Sequence, residues 1–401
     1  MSPTILSPSP LAPSSQAAEF LAGWRPKPLT EATGFPSWVY QDPEFFRLER
    51  QRYFQRSWLF VAHDSDLPSD EPGWYSMSVA GVPVLLTRDR DGVTRAFHNV
   101  CTHRGAPLGR IGDPAACAGR SKNVVCPYHG WAFGLDGELR GASGMDAHPG
   151  WNKAAHSLRP LRLDRWGPYW FVNPSGDATS LTEQLGPAVE RFAGAQLDKW
   201  VRVHRQDYIT DSNWKFYVEN NAEYYHEPTA HGTSYLAKEV SWNNNFHAIK
   251  PEISDYCYLQ ESPFPANAPE MTGRMRPNTV MPGLAPTWQA ASSIFQFWPN
   301  FAWILNPNLF VLYLIDPVSP TRTRIRWDWM VPDTAEARDP TNLEPLKALY
   351  DQVQREDLAI FEAQQRALDS TVFTMGQLNP RSEIGLHRFQ HQLMEYLTGA
   401  R

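Results

Sequence analysis

Two short segments of the sequence each place a cysteine close to a histidine. CTHRG begins at Cys101 and has His103 two positions later, and CPYHGW begins at Cys126 and has His129 three positions later. Together they offer two thiolates and two imidazoles. Such a set can bind zinc, or a [2Fe–2S] cluster with the cysteines on one iron and the histidines on the other. The chain has four cysteines, too few to suggest a disulfide framework, and grouped cysteines then favour a metal site.

Turn signals show which elements must position these two segments. Asp91-Gly92 precedes the first segment and separates two strand-like stretches, PVLLTR and VTRAFHNV. Asp136-Gly137 follows the second segment inside FGLDGELR. Asp-Gly between such stretches is typical of a β-hairpin. Each Cys/His loop is therefore predicted to be attached to a hairpin, and two facing loops could close over one cluster.

Together, the two segments closely resemble the ligand motifs of Rieske proteins. The resemblance implies that Cys101, His103, Cys126 and His129 bind a [2Fe–2S] cluster. A zinc site, or histidines and thiols that only fill a core, remain the alternatives.

Two features of the sequence are unusual. One is the length of the segment between the two loops, and the other is a difference from the Rieske proteins of respiratory complexes. The segment between the loops is longer than usual around DPAACAGRSKN, and we interpret the excess as an exposed insertion in which Cys117 is a bystander. The respiratory kind has one further cysteine in each loop, and those two cysteines form a disulfide. Ala106 and Tyr128 occupy these positions here. The sequence therefore resembles the lower-potential kind found in oxygenases and their ferredoxins.

A second group of candidate ligands lies in SNWKFYVENNAEYYHEPTAH. Glu219, Glu223 and His226 are spaced by four and three residues, which predicts that they share one face of a helix. Pro228 disfavours a helical conformation at the residue before it. His231 is therefore expected beyond the end of this helix, on a loop that can fold back towards His226.

A third ligand should be a carboxylate, and residues 343–368 provide a candidate. Asp357 falls on an apolar stripe with helical spacing, where a carboxylate is costly unless it is paired or bound to a metal. A buried ion pair with an arginine is the alternative. Together with His226 and His231, Asp357 would complete a two-histidine, one-carboxylate set, which suits non-haem Fe(II). The other residues of the stripe are Leu346, Tyr350, Val353, Ile360 and Phe361.

The motifs, taken in order along the chain, resemble the catalytic α subunit of Rieske non-haem iron oxygenases. The resemblance implies that His226, His231 and Asp357 bind the mononuclear iron. It also implies that Glu223 is the acidic residue that bridges the two metal sites, a position where the family more often has aspartate.

The resemblance also implies an α+β fold with two domains. A small all-β Rieske domain is expected at 55–172, and a helix-grip catalytic domain with an antiparallel sheet and flanking helices at 21–54 and 173–401. A helix around PEFFRLERQRYF is expected to pack on the larger domain. Residues 1–20, rich in proline and serine, are predicted to be a flexible tail.

Composition argues against several other classes of protein. The net charge is −6 and no basic run suggests a nucleic acid or an anionic membrane as partner. No apolar run reaches the ~18 residues of a membrane span. FAWILNPNLFVLYLIDPV is interrupted at Asn306-Pro307 and is predicted to form two strands. The start of the chain lacks the pattern of a signal peptide, so we expect a cytoplasmic protein.

Electrons are expected to come from another protein. The sequence has no dinucleotide-binding glycine pair, and the remaining cysteines are too few for a plant-type ferredoxin cluster. A separate NAD(P)H-dependent reductase is therefore implied, with or without a ferredoxin. The resemblance further implies a head-to-tail homotrimer with an electron path through His129, Glu223 and His226, and it leaves open whether a small β subunit joins it.

The segment between His231 and Asp357 is expected to line much of the substrate pocket. Its many aromatic residues suit an aromatic ring or, by cation–π attraction, a quaternary ammonium group. Monooxygenation is favoured by a resemblance to choline, carnitine and betaine monooxygenases; cis-dihydroxylation of an arene is the alternative. A Rieske electron-transfer protein is the alternative of another class. Most of the aromatic residues are expected in the core, and two or three against substrate: Trp242, Phe246, Tyr256, Tyr258, Trp288, Phe295, Phe297, Trp298 and Trp303.

Overall fold

The computed structural model describes residues 14–109, 116–231, 251–263, 279–370 and 372–401, which form two compact units. The first unit is Phe54–Leu181, and the second combines Pro13–Tyr53 with Thr182–Arg401. The domain limits given in the sequence analysis, 55–172 for the Rieske domain and 21–54 with 173–401 for the catalytic domain, stay a prediction. Within the predicted tail, the structure has a helix, α1, at Ser15–Gly23, with Ala17 buried.

The first unit is built from two antiparallel sheets. The larger sheet has seven strands in the order β1-β10-β9-β4-β3-β2-β5, and the smaller has the order β6-β7-β8. Hairpins form at both predicted Asp-Gly turns, between β3 and β4 and between β7 and β8. The strands are β1 Leu59–His63, β2 Gly73–Val79, β3 Val82–Arg88, β4 Thr94–His98, β5 Ala116–Arg120, β6 Asn123–Val125, β7 Ala132–Gly134, β8 Leu139–Gly141, β9 Pro160–Trp166 and β10 Tyr169–Asn173.

Side chains from both sheets of the first unit meet in one core. Leu85 and Phe97 enter it from the larger sheet, and Phe133 enters it from the smaller sheet. Cys101 and Cys126 belong to the same core. The two cysteines are therefore held by packing that includes both sheets.

The second unit contains an antiparallel sheet in the order β11-β17-β16-β15-β14-β13-β12. The predicted pair of strands on either side of Asn306-Pro307 is confirmed as β15 and β16, and the Asn306 N–H donates to the Leu309 carbonyl at 2.8 Å in the turn. The antiparallel sheet with flanking helices agrees with the predicted α+β class. The strands are β11 Trp200–Thr210, β12 Glu252–Ile253, β13 Cys257–Pro263, β14 Ala291–Phe297, β15 Phe301–Leu305, β16 Phe310–Ser319 and β17 Arg322–Pro332.

Helices of the second unit position the candidate ligands. The predicted N-terminal helix is confirmed as α2, which continues into a π-helical turn at Glu49–Tyr53. Glu49 in this turn pairs with Lys215 of α5 at 2.7 Å, and both side chains are fully buried. The helices after α1 are α2 Pro43–Leu48, α3 Leu181–Leu185, α4 Ala188–Arg191, α5 Trp214–Asn220, α6 Glu227–Ala230, α7 Pro286–Gln289, α8 Ala335–Arg338, α9 Pro340–Ala367 and α10 Ile384–Thr398.

Three local predictions about these helices are wrong: the shared face of Glu219, Glu223 and His226, the non-helical residue before Pro228, and the place of Ile360 on the apolar stripe. Helix α5 ends at Asn220, so Glu223 and His226 do not continue its face, and a new helix begins at Glu227. Pro228 occupies the first turn of that helix, where proline is tolerated because its missing N–H would have no helical partner. Ile360, placed on the apolar stripe of α9, is 37% exposed. No helix in the described ranges combines the length and hydrophobicity of a membrane span.

Candidate metal sites and active-site cavity

The two Cys/His loops of the first unit have the same backbone hydrogen bonds. In each loop the cysteine N–H donates to the carbonyl five residues later, and the cysteine carbonyl accepts from a glycine N–H four residues later. The glycine has a positive φ in both loops, a conformation that glycine adopts without strain. The bonds join Cys101 to Ala106 and Gly105, and Cys126 to Trp131 and Gly130, at 2.8 to 3.0 Å.

The four donors of the first unit form two pairs. The Cys101 and Cys126 side chains are each 2% exposed and interact directly, and burial raises the pKa of the Cys101 thiol. The imidazoles of His103 and His129 are exposed, with their Nδ1 atoms 3.2 Å apart, and the His103 ring stacks on Trp131. A thiol pair inside and an imidazole pair outside fit a binuclear cluster with one pair on each iron.

The second candidate site brings together His226, His231 and Asp357. Their ligand atoms lie within 4.8 Å of one another. The two histidines are the residues immediately before and after α6, while Asp357 comes from α9. The Asp357 Oδ1 atom is 3.8 Å from His226 Nε2 and 3.3 Å from His231 Nε2. The short helix α6 therefore sets the separation of the two imidazoles, and α9 supplies the carboxylate that faces both.

Each of these two histidines is oriented by a further carboxylate. Glu223 Oε1 lies 2.6 Å from His226 Nδ1, and Glu356 Oε2 lies 2.9 Å from His231 Nδ1. Gln352 in turn donates from Nε2 to the other oxygen of Glu356 at 3.0 Å. A hydrogen on each Nδ1 leaves both Nε2 lone pairs available as metal ligands.

The electrostatics of this site favour a bound cation. Burial alone would lower the pKa of His226, but Glu223 and Asp357 raise it to about 9. Asp357 Oδ1 is buried without a hydrogen-bond partner among the described residues. A buried acceptor without a partner is unfavourable, and a metal ion would satisfy it. The donor set therefore fits a mononuclear metal, with carboxylate and imidazole ligands that suit Fe(II).

A cavity of about 230 Å³ opens onto this donor set. Glu223, Glu227 and Asp357 contribute carboxylates to its wall, and aromatic rings form much of the rest. Burial raises the pKa of Glu227 to about 8, with the field of the two histidines acting in the opposite direction. The aromatic residues of the wall are Tyr217, Tyr224, Tyr313, Trp327 and Tyr350.

These rings are not the ones that the sequence analysis expected. Trp242 and Phe246 lie outside the described residues, and the other members of the predicted set do not line the cavity. Strand register gives the reason. On β14 and β15, Phe295 pairs with Trp303 and Ile294 pairs with Ile304. Successive side chains point to opposite faces of a sheet, so the aromatic pair packs in the core and the aliphatic pair faces the cavity.

Two acidic residues of the site were also missed in the sequence analysis. Glu356 directly precedes Asp357, and Glu227 lies between the two histidines. Position along the chain offered a weak signal for both residues. Only the fold shows that Glu356 reaches His231 and that Glu227 lines the cavity.

Comparisons with known families give two matches to this chain. The profile of the family described as "Ring hydroxylating alpha subunit (catalytic domain)" matches residues 197–399. The profile described as "Rieske [2Fe-2S] domain" matches residues 57–154. The first match covers about half of the chain and includes the His226, His231 and Asp357 set. The second includes all four Cys/His donors.

Individual relatives match over most of the chain. The chloroplastic choline monooxygenase of Spinacia oleracea is 29% identical over 92% of this chain and 80% of its own length. The carnitine monooxygenase oxygenase subunit of Acinetobacter baumannii is 28% identical over 90% of this chain and 94% of its own length. The crystal structure of the quaternary ammonium Rieske monooxygenase CntA with L-carnitine is similar, with a TM-score of 0.74, 26% identity and coverage of 96% of this chain and 99% of that chain.

Proposed function

We propose that this chain, which belongs to the family of ring-hydroxylating alpha subunits and also has a Rieske domain, hydroxylates a small quaternary ammonium compound. The predicted family, the oxygenase class and the cofactor pair of a [2Fe–2S] cluster and a mononuclear iron are confirmed by the two family matches. The substrate, the assembly and the role of each residue are proposals.

The observation that carries the proposal is the cavity beside His226, His231 and Asp357. Its wall combines acidic side chains with the faces of aromatic rings. Some polar atoms of these rings are already hydrogen-bonded within the protein. Trp327 donates from Nε1 to the Tyr217 hydroxyl at 3.0 Å. Ring faces beside carboxylates suit a methylated ammonium group, which attracts π-electrons and cannot donate a hydrogen bond. The relatives named for choline and carnitine support this class of substrate.

We assign the cofactor ligands from the geometry of each unit. Cys101, Cys126, His103 and His129 would hold the cluster; a separate triad, His226, His231 and Asp357, would hold the iron. When bound, the cluster supplies single electrons, and the iron offers open positions for dioxygen. Glu223 and Glu356 fix the tautomers of the two iron-binding histidines.

The overall reaction consumes dioxygen, two electrons and two protons for each substrate C–H bond that becomes C–OH; the second oxygen atom leaves as water. When the new hydroxyl group is on a carbon that already carries nitrogen or oxygen, the bond from that carbon to the nitrogen or oxygen breaks readily and the carbon becomes an aldehyde. An N-methyl group would leave as formaldehyde. A separate NAD(P)H-dependent reductase, with or without a ferredoxin, would supply the electrons.

We also propose a homotrimer in which electrons reach Glu223 from the partner subunit's His129. The exposed imidazole pair places the outer end of the cluster ligands at the surface of the first unit. Glu223 already contacts His226 Nδ1 and can accept a further hydrogen bond from an incoming imidazole. A small β subunit is not required by any of these contacts.

A single-turnover assay tests the function. The purified protein is reduced chemically, mixed with oxygen and a panel of methylated amines and aromatic acids, and its products are identified by mass spectrometry. An aldehyde or formaldehyde from a methylated ammonium compound is expected. A cis-diol from an aromatic acid would replace monooxygenation by arene dihydroxylation. Reoxidation of the cluster without any product from the panel would count against a quaternary ammonium substrate.

A further inference from the structure

Gln354 places a buried amide in the wall of the active-site cavity. It lies on α9, three residues before Asp357, and helical residues at that spacing share one face. The side chain is 2% exposed and lines the cavity. Its Nε2 atom is buried and has no hydrogen-bond partner among the residues that the structure describes. The cavity wall therefore contains an amide donor that its described surroundings leave without an acceptor.

A chain of hydrogen bonds fixes which end of this amide is the acceptor. Trp327 of β17 donates from Nε1 to the Tyr217 hydroxyl of α5 at 3.0 Å, and that hydroxyl donates to Gln354 Oε1 at 3.2 Å. The indole N–H only donates, so the hydroxyl hydrogen needs another acceptor, and Oε1 supplies it. The opposite orientation of the amide would direct two donors at the hydroxyl oxygen and remove this acceptor. Oε1 is therefore engaged, and the hydrogens on Nε2 remain for another partner.

We propose that Gln354 selects the substrate by donating a hydrogen bond from Nε2 to an acceptor oxygen of the substrate. This inference rests on the proposed function and narrows its substrate class to quaternary ammonium compounds that carry an alcohol, ether or carbonyl oxygen. Such an oxygen gives the buried donor a partner. A substrate with only hydrocarbon at this place displaces water and leaves the donor without one, which is unfavourable.

The place of Gln354 on α9 also limits where the oxygen lies in the substrate. Side chains three residues apart on a helix have Cβ atoms about 5–6 Å apart, so Gln354 is a close neighbour of Asp357. Asp357 belongs to the candidate metal set, whose ligand atoms lie within 4.8 Å of one another. A substrate that reaches both this set and Gln354 needs its oxygen only a few atoms from the carbon that is oxidised.

The ring faces of the cavity and Gln354 act on different parts of such a substrate. Tyr313 and Trp327, which stack at 4.7 Å, provide a surface for the trimethylammonium group. Ring faces do not distinguish an oxygen from a methylene in the rest of the molecule. Only a directed donor such as the Gln354 amide makes that distinction, because its hydrogen bond is lost with the oxygen.

Calorimetric binding to the holoenzyme tests this inference with two ligands of equal charge. (2-Methoxyethyl)trimethylammonium has an ether oxygen that only accepts hydrogen bonds, and butyltrimethylammonium has a methylene group in its place. The measured quantity is the preference for the ether, given by the dissociation constant of the butyl compound divided by that of the ether. The unaltered protein should bind the ether more tightly, because the butyl compound leaves Nε2 without an acceptor.

Three variants show whether this preference comes from the Gln354 amide. Gln354→Met should lower the preference for the ether about tenfold, because methionine has no donor. Tyr217→Phe removes the hydroxyl that fixes the amide but keeps the donor, so it should lower the preference by less. Gln364→Met, the same change at an exposed position of α9, should leave the preference as it is.

The outcomes separate this inference from the proposed function. Tighter binding of the butyl compound by the unaltered protein overturns the selection by Gln354, and so does an unchanged preference in Gln354→Met. An equal loss in Gln354→Met and Tyr217→Phe also overturns it, because Gln354 would then only support Tyr217. A preference that depends on Gln354, without oxidation of the ether in the single-turnover assay, supports the inference and counts against oxygenation of ammonium compounds.

Discussion

The two candidate metal sites differ in how their donors are held. In the first unit, both Cys/His loops are fixed by the same pair of backbone hydrogen bonds, closed by Gly105 and Gly130. In the second unit, side chains do this work, because Glu223 and Glu356 orient His226 and His231. The first site is therefore a property of short chain segments, and the second is a property of tertiary packing and charge.

This difference has a chemical counterpart. The candidate cluster ligands divide into a buried thiol pair and an exposed imidazole pair, an arrangement suited to passing electrons at the surface. The candidate iron ligands lie close together beside a cavity, an arrangement suited to holding a substrate. Each unit supplies a complete donor set, so loss of one metal should leave the other bound.

Removal of one ligand from each site gives the largest expected effect. Cys126→Ala should lose the cluster and its visible absorption but keep the mononuclear iron. Asp357→Ala should lose the mononuclear iron but keep the cluster. Both variants should have no measurable turnover, because the two groups act in sequence. Iron and acid-labile sulfide analysis of each purified protein, together with its visible spectrum, provides the measurement.

Cys117→Ala is the matched control for that pair. Cys117 lies on β5, so this part of the predicted exposed insertion is a strand and not a loop. Its sulfur is 3.1 Å from the Ser76 hydroxyl, and we interpret it as a bystander. Its replacement should leave iron, sulfide and turnover unchanged. A colourless Cys117→Ala protein would contradict the ligand assignment. Loss of both metals in Asp357→Ala would contradict the independence of the two sites.

Glu223 and Glu356 allow a sharper comparison, because each orients one histidine of the same donor set. Glu223→Gln should reduce turnover by about 100-fold, since it disturbs both the histidine and the proposed electron path. Glu356→Gln should reduce it by about 10-fold, since it disturbs only the orientation of His231. After chemical reduction and exposure to oxygen with substrate, the cluster should reoxidise slowly in Glu223→Gln and near normally in Glu356→Gln.

Iron content decides how that comparison is interpreted. Both variants should retain the mononuclear iron, because glutamine can still accept a hydrogen bond from the histidine Nδ1. Equal rates of cluster reoxidation in the two variants would refute a special role of Glu223 in electron transfer. It would leave both residues as supports for the histidines.

The contrast between the sites also explains what the sequence could reveal. The Cys101 and Cys126 motifs are contiguous, so the donors and their hairpins could be predicted from the sequence. Asp357 could be predicted only because a carboxylate interrupted an apolar stripe. Glu356 and Glu227 could not, because their roles arise when α6 and α9 come together. The prediction of a helix through Glu223 was wrong because the spacing of residues in the sequence stays helical beyond Asn220, where α5 ends.

Buried carboxylates should also make the second unit sensitive to pH. Burial raises the pKa of Glu219 to about 7, against an ordinary value of 4.5, although Gln390, Tyr40 and Lys215 oppose the shift. The folded state thus keeps a proton that the unfolded chain releases above pH 4.5. The free energy of unfolding should fall by up to about 3 kcal/mol as the pH rises from 4.5 to 7, and then level off.

Glu219→Gln isolates this contribution. A glutamine oxygen can accept from the Tyr40 hydroxyl and from Gln390 Nε2 as the carboxylate does, so the fold should tolerate the change. Calorimetry at pH 5 and pH 8 should show a smaller loss of stability in the variant than in the unaltered protein. The temperature at which the cluster absorption is lost reports on the first unit. Glu219→Gln should not change this temperature. An unchanged pH dependence in the variant would mean that Glu219 is ionised in the folded state.

The smallest expected effect tests the backbone support of the first unit. Gly130 has a φ of +71°, and an added Cβ would meet no atom within 4 Å, so Gly130→Ala changes the conformational energy without a clash. We expect a loss of about 1–2 kcal/mol, seen as earlier thermal bleaching of the cluster, with the mononuclear iron unaffected. Gly141→Ala in β8 of the same unit also meets no atom but needs no positive φ, and it should not lower the bleaching temperature. If both variants bleach alike, the left-handed turn is not what holds the loop, and the difference drawn between the two metal sites fails.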